Sequence, residues 1–503
     1  MDVGPALSLA ELAKAGGPPP PKVIRARLGA MLSIERAGLP PALVAALKHL
    51  GSISNPEYYE KQRMRFSTWD TPRFISAYEE DLEWLHLPRG LTEGVQELIG
   101  GLASRLEVAD DRPELASVGL RFVGQLRPQQ GAAVVDLVDH DLGVLVAPPG
   151  AGKTVMACAA IAHHDVPTLV VVDRKELIDQ WRSRLEEHLS VDPSVIGQVG
   201  GGRNNPTGVI DVAMIQSLAR RDDASLFDAY GLVVVDECHH IPAVSFSTCV
   251  QAARSRRWLG LTATPYRRDK LEALIGFHCG PTRHEIKPGA TEGAELVRRE
   301  LVVHHTVVEL TDEEAAHIQQ VFTALVEHEQ RTAQICGDVH DAVAAGRTCL
   351  VLTQRTDHID AIVAGLAQLG DEALVLRGGL GRKARAAVAD ALATRDPDAG
   401  IVLVATGSYL GEGFDWPELD TLFLAFPLAF KGRVVQYVGR LLRTHEGKHH
   451  VELHDYVDSR IPVLHRMHTK RLPAYATLGF DVPKTRHRPR PPDPTAGEPI
   501  DAF

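Results

Sequence analysis

Short blocks of branched aliphatic residues, each followed by a stretch of helical spacing, recur along most of this chain. They stand at 143–146, 168–173, 211–218, 232–235 and 258–265. The run 155–162 after the first block is compatible with a helix, and the helix after the second carries Gln180 and Trp181. Uninterrupted apolar runs of this length suit strands buried on both faces of a parallel sheet. Their alternation with helices predicts one α/β unit over 116–287. A second set of blocks, at 349–353, 373–376, 401–405, 421–425 and 451–456, predicts a second such unit over 288–480. Residues 287–309 read as a hinge with a leading strand, and 311–345 as strongly helical.

The first 115 residues lack this rhythm. Residues 1–50 read as a lead-in, with a proline run at 18–21 and a short helix carrying Leu43, Val44, Leu47 and Leu50. Residues 51–115 read as a small α+β accessory domain. Within it, 55–90 interleaves Tyr58, Tyr59, Lys61, Arg63, Arg65, Phe66, Trp69, Arg73, Phe74, Trp84 and Arg89. That mixture suits phosphate contact plus base stacking. It equally suits aromatics in a small core with arginines facing solvent, and the pattern alone leaves both open. Pro88, Arg89 and Gly90 read as a turn, 94–106 as a helix and 109–114 as a polar linker. The proline-rich segment 481–503 reads as a disordered tail.

Composition narrows the classes. At 503 residues the chain suggests about three domains. Hydrophobic residues make 44% and charged ones 24%, ordinary for a globular protein. No apolar run approaches the roughly 20 residues that span a membrane, and no leader pattern opens the chain. The six cysteines show no C-x-x-C pairing, which points away from zinc and disulfides and toward a reducing cytoplasm. His317, His328 and His340 lack metal-ligand spacing and read as solvated. A net charge of −11 gives no global attraction to nucleic acid, so any such binding needs local basic surfaces.

The candidate chemistry begins at 147–154, APPGAGKT, between an apolar strand and a helix. Strand, glycine-containing loop, Lys-Thr and helix is the context of a phosphate-binding loop. Pro149, Gly150, Ala151 and Gly152 would wrap backbone N–H groups around phosphate oxygens, toward the positive end of the next helix. Lys153 would reach the β- and γ-phosphates and Thr154 would hold Mg²⁺. Ala147 stands where the motif has glycine. The strand at 232–235 ends in Asp236 and Glu237, at the carboxyl edge where open α/β sheets place ligands. Asp236 is a metal ligand candidate, and Glu237 a base for an attacking water. In LRPQQ, Gln130 suits an adenine edge, with Arg127 beside it.

Nucleic-acid contacts are suggested at Arg174, at Gln216 and Ser217, and among the short hydroxyls Thr262 and Thr264. Gln436, Gly439, Arg440 and Arg443 fall on one helix face, and two arginines there suit a γ-phosphate delivered from the other unit.

In order, LRPQQ, APPGAGKT, VVDRKELIDQW, DVAMIQSL, DECHH, TATP, VATGSYLGEGFD and QYVGRLLR resemble the motif set of superfamily 2 helicases, over about residues 120–460. The acidic box and spacing are most similar to the XPB-like branch, alongside phage repair helicases. More narrowly, NPEYYEKQRMRFSTWDTPRF and LHLPRG resemble the helicase part of TOTE-type bacterial conflict systems. The resemblance implies two tandem RecA-like domains with ATP between them and a nucleic-acid strand across both. It also implies 3′-to-5′ movement on DNA and a DNA-contacting accessory domain, for which Arg63, Arg65 and Arg73 are candidates. Carried over by motif, Gly413 and Asp415 lie near the ribose and γ-phosphate, and Thr406 on the nucleic-acid backbone. A primase- or nuclease-containing defence partner follows from the same resemblance. An RNA-directed enzyme and a nucleotide-gated clamp remain the competing expectations.

Overall fold

The computed structural model describes residues 18–220, 225–240, 250, 253–263, 271–287, 297–311, 315, 317–378, 380, 382–394, 399–407, 416–428, 437–442, 445 and 447–482. Two parallel sheets carry the expected α/β architecture, with a small α+β domain ahead of them. The first sheet has eight strands. In spatial order they are Arg203–Asn205, Ile196–Gly200, Ile210–Met214, Thr168–Val172, Leu232–Val235, Arg257–Thr262, Leu142–Val146 and Thr282–Glu285. All pairs are parallel except the outermost, Arg203–Asn205 on Ile196–Gly200. Successive side chains point to opposite faces. Leu145, Val170 and Val234 therefore meet one helical layer with Ile161 and Trp181, while Val144, Val171 and Val233 meet the other with Phe227 and Ile275. Burial on both faces is why these strands read as continuous apolar runs.

The second sheet runs Arg298–His305, His450–Val457, Thr421–Leu424, Thr348–Thr353, Ile401–Thr406 and Ala373–Leu376, all parallel. Arg298–His305, expected beside a hinge, is this sheet's edge strand. The helical stretch after it divides into Ile318–Glu327 and Glu329–Ala344, with His328 capping the second by accepting from the Arg331 N–H at 3.2 Å. His340 Nδ1 lies 2.8 Å from Asp371 Oδ2. The helix Pro462–Thr477 is tied to the sheet by Arg471, whose Nη2 donates to Asp455 Oδ1 at 2.7 Å inside the core. Severing such a buried pair costs about 3–5 kcal/mol.

The accessory domain differs most from expectation. Its five-stranded sheet takes in Val23–Leu28 and Met31–Glu35, both within the stretch read as lead-in. The boundary expected at 50/51 runs through this unit. The helix read at 94–106 is Thr92–Gly100, and Arg105–Asp110 is a strand parallel to Val23–Leu28 rather than the start of a linker. Helices Pro41–Leu50 and Thr92–Gly100 cover one face, burying Leu43, Leu47, Val95 and Ile99. The other face carries Arg25 and Arg27, which explains why the alternation was hard to read.

Pro88, Arg89 and Gly90 do more than turn the chain: they dock this domain on the first sheet. Arg89 is 2% exposed, lies 4.7 Å from the Trp258 ring centre and donates to the Val250 carbonyl. Burial pushes its guanidinium down to about 9. Around it, Arg283 Nη1 lies 3.1 Å from Glu93 Oε2, and Arg112 Nη2 lies 2.7 Å from Asp141 Oδ2. A β-carbon on Gly90 would sit 1.9 Å from the Gly276 carbonyl oxygen. Gly90→Ala should therefore force the two domains apart and lower unfolding free energy by about 1–3 kcal/mol, measured by denaturant titration of the whole chain. Unchanged stability would mean that the docked arrangement is not the one in solution.

Candidate nucleotide and nucleic-acid site

The phosphate loop leaves strand Leu142–Val146 and enters helix Lys153–His164. Gly150 and Gly152 take φ of +82° and +86°, a region that side chains with a β-carbon rarely adopt. Ala147 is absent from the positive-φ set, so a methyl group is tolerated where the motif has glycine. Lys153 Nζ donates to the Ala147 carbonyl at 3.1 Å. Gln130 Nε2 and Arg127 Nη2 both donate to the Ala151 carbonyl, at 2.8 and 3.1 Å, while Gln130 Oε1 accepts from the Arg127 N–H. These two residues, read as adenine contacts, brace the loop from behind here.

The acids stand at the carboxyl end of Leu232–Val235, next to strand Thr168–Val172. Trp181 Nε1 donates to Asp236 Oδ2 at 2.8 Å. Burial and then the neighbouring Glu237 raise the Asp236 carboxyl above its ordinary range, while Trp181 and Lys153 hold it down. Glu237 has a φ of +43°, strained for a residue with a side chain. Its Oε2 is buried and accepts no hydrogen bond from a described residue. His239 Nδ1 lies 3.3 Å from that oxygen and 3.0 Å from Thr262 Oγ1, linking the acidic box to the next strand. Trp181 and His239 were missed in the sequence. His239, the first histidine of DECHH, was a usable signal, whereas Trp181 stood out only as the last residue of VVDRKELIDQW.

The second sheet supplies the opposite wall. Tyr437 donates from its hydroxyl to the Gly407 carbonyl at 2.7 Å, fixing the helix that carries Gly439 and Arg440. A β-carbon on Gly439 would lie 2.5, 2.7 and 3.0 Å from Pro149 Cγ, Cβ and Cδ. Burial lowers the Arg440 guanidinium to about 10; Tyr437 and Glu237 favour its charge and Arg174 opposes it. Arg440 therefore shares an electrostatic environment with Glu237 of the other lobe. Lys153, Asp236, Glu237 and Arg440 are thus gathered around one cleft. Two lysine or arginine groups, a threonine hydroxyl and two carboxylates, one with an orphaned oxygen, are a donor set that fits a Mg²⁺-bound nucleoside triphosphate.

Other expected residues distribute differently. Arg174, at the head of helix Lys175–Leu189, pairs with Asp173 at 3.2 Å and is felt by Arg440. Gln216 Nε2 donates to the Asp173 carbonyl at 2.7 Å, and the Gly200 turn lies against Ser217 Oγ. Gln216 and Ser217 sit on a short helix, Ile215–Ala219, because strand Ile210–Met214 runs into it without a polar break. Thr406 ends its strand, buried. Arg63, Arg65 and Arg73 are exposed on the accessory domain. Thr264, Gly413, Asp415, Gln436 and Arg443 lie outside the described residues.

Comparison with known proteins agrees with this arrangement. Residues 124–267 match the family described as Type III restriction enzyme, res subunit. The Mycobacterium tuberculosis DNA 3′-5′ helicase XPB is 30% identical over 331 residues, covering 63% of this chain and 58% of that protein. The Sulfurisphaera tokodaii DNA 3′-5′ translocase XPB2 is 32% identical over 190 residues, 38% of this chain and 42% of that one. The matched part of the present chain is thus similar to the core of superfamily 2 helicases of the XPB-like branch. The aligned segments thus span about half the length of these two relatives. The probable helicase D10 of Escherichia phage T5 is 24% identical, covering 73% of this chain and 78% of that protein. Among solved structures, the Type ISP restriction-modification enzyme LlaBIII shares the fold at 14% identity and a TM-score of 0.52. It covers 71% of this chain and 30% of that chain.

The Gly439 and Pro149 contact sets how closely the two lobes meet. Gly439→Ala should reduce kcat for nucleotide hydrolysis by roughly tenfold to a hundredfold, since a displacement near 1 Å can cost that much. Nucleotide binding to the phosphate loop should change only a few-fold. The check is steady-state kinetics beside fluorescent-nucleotide titration; equal losses in both would place the defect in the first lobe instead.

Proposed function

We propose that this chain is an ATP-dependent DNA translocase or helicase, an ATP hydrolase stimulated by nucleic acid. The observation that carries the reading is the meeting of the two lobes at one cleft, with Gly439 against Pro149 and Arg440 in electrostatic reach of Glu237. Bound ATP with Mg²⁺ would supply the phosphoanhydride bond and the countercharge for its cleavage. Lys153 and the backbone N–H groups of the loop would hold the phosphates, and Thr154 and Asp236 would hold the metal. Glu237 orients a water and takes its proton. Arg440 would neutralise charge from the opposite lobe; Arg443 and Gln436 of the same motif are proposed to share that role, and Gly413 and Asp415 are proposed as nucleotide contacts.

Arg174, Gln216, Ser217, Thr264 and Thr406 are proposed to hold a nucleic-acid backbone across both lobes. Closing and opening of the cleft would then shift the grip along one strand. The choice of DNA and of 3′-to-5′ movement is supported by relatives named as DNA 3′-5′ helicases and translocases. Phage defence or DNA repair, beside a primase- or nuclease-containing partner, is the setting we propose. It is supported by the likeness of 55–74 and 85–90 to conflict-system helicases. A cytoplasmic location is part of the same reading. Five described cysteines are buried and unpaired, and no described helix is long and apolar enough to cross a membrane.

The deciding experiment is ATP hydrolysis with single-stranded, duplex and forked DNA and with RNA, beside Glu237→Gln. Stimulation by DNA of at least tenfold, abolished in the variant, is expected. Stimulation by RNA alone would overturn the choice of DNA. No stimulation by any nucleic acid would leave a clamp that binds without moving.

A further inference from the structure

Residues 62–67 form an unbroken exposed run on the accessory domain, and two aromatic rings, one within it and one just beyond, stand out of the protein. Trp69 is 97% exposed and Phe66 65%. Such rings seldom remain uncovered, and these two are not on a fraying end. Helix Pro56–Arg63 finishes with Arg65 at φ +58°, and the Phe66 N–H returns to the Lys61 carbonyl at 2.9 Å. Beyond the rings, Thr71 is buried, the Thr71 N–H donates to the Thr68 carbonyl at 3.1 Å, and Asn55 Nδ2 donates to the Pro72 carbonyl at 2.8 Å. The arm is therefore pinned at both ends and presents its rings in place.

Charge and position indicate what covers them. The arm carries Lys61, Arg63, Arg65 and Arg73 against Glu57, Glu60 and Asp70, in a chain whose net charge is −11. Glu57 and Asp70 are engaged with Lys61, and Glu60 lies 3.6 Å from Arg63. Arg65, adjoining Phe66, has no ion-pair partner among the described residues. The base of the arm, strands Ser52–Ser54 and Phe74–Ser76, packs through Ile53 and Ile75 on Leu271, Leu274 and Phe277. That helical segment follows closely on Thr262 and Ala263, the strand end read as the link to the nucleic-acid track.

We infer that this arm is a base-stacking site for unpaired nucleotides, with Phe66 and Trp69 as the stacking rings and Arg65 as a phosphate contact. The inference rests on the nucleic-acid motor reading and adds a substrate form to it. A base inside a duplex has both faces covered by its neighbours. Only a single strand, a fork or a duplex end offers a free π-face to an exposed ring. The site therefore selects unpaired bases, whereas the cleft residues proposed above would hold the backbone.

The test measures binding of the whole chain to three labelled probes of equal length: an ordinary single-stranded oligonucleotide, its abasic counterpart and a blunt duplex. The wild type should prefer the ordinary strand over the abasic one by roughly tenfold. Phe66→Ala with Trp69→Ala should bring that ratio close to one while leaving the salt dependence in place. Trp69→Phe, which keeps a ring, should retain most of the preference. Arg63→Glu, Arg65→Glu and Arg73→Glu together should instead weaken both single-stranded probes and flatten the salt slope. If DNA stimulates hydrolysis but the double alanine variant keeps the full preference, the stacking site is overturned and the rings belong to a protein contact. If the wild type binds none of the probes, the motor reading itself falls.

Discussion

Between Pro149 and Gly439 there is no room for one more carbon atom. That close approach is the constraint on which the rest of the cleft depends. It holds the helix bearing Arg440 over the phosphate loop, so that a guanidinium from one sheet and a carboxylate from the other act in a single electrostatic environment. The supporting bonds lie behind it on each side. Gln130 and Arg127 brace the loop through the Ala151 carbonyl, and Tyr437 braces the opposing helix through the Gly407 carbonyl. Each lobe thus supplies a stiff backbone segment, and the chemistry sits where the two meet.

The same economy appears at the acids. Asp236 and Glu237 are adjacent in sequence, yet their carboxylates face different elements: Trp181 of one helix donates to Asp236, and His239 of the turn that follows lies near Glu237. Desolvation, and then the charge of the adjoining Glu237, disfavour the charged form of Asp236. That arrangement is costly without a cation between them, and it suits a site that receives a metal with its nucleotide.

Much of this was legible in the sequence because burial on both faces writes itself as uninterrupted apolar runs. Val144, Leu145 and Val146 read correctly as strand for that reason, and the glycines at 150 and 152 marked a loop that needs positive φ. The accessory sheet was harder. In Val23–Leu28 one face is wet, so Arg25 and Arg27 alternate with Ile24 and Ala26 and no run forms. Ile210–Met214 was read too long because Met214 and Ile215 are apolar on both sides of a strand-to-helix change. Arg89 was read as part of a turn, since nothing local to it signals that a guanidinium will be buried against Trp258, far along the chain. Contacts of that kind are set by tertiary packing, and residue spacing is silent about them.

Arg89 also bears on how such an enzyme can be taken apart. Its guanidinium lies on the strand that leads to Thr262, with its donor on the Val250 carbonyl downstream of the acidic box. The accessory domain is consequently part of the floor of the first lobe. A core excised at residue 115 would leave the Trp258 ring face and the Gly276 carbonyl open to water, and a foreign domain grafted there would need its own buried cation and its own glycine. Front domain and first lobe are therefore fitted to each other by one buried cation and one glycine, and behave as a single body.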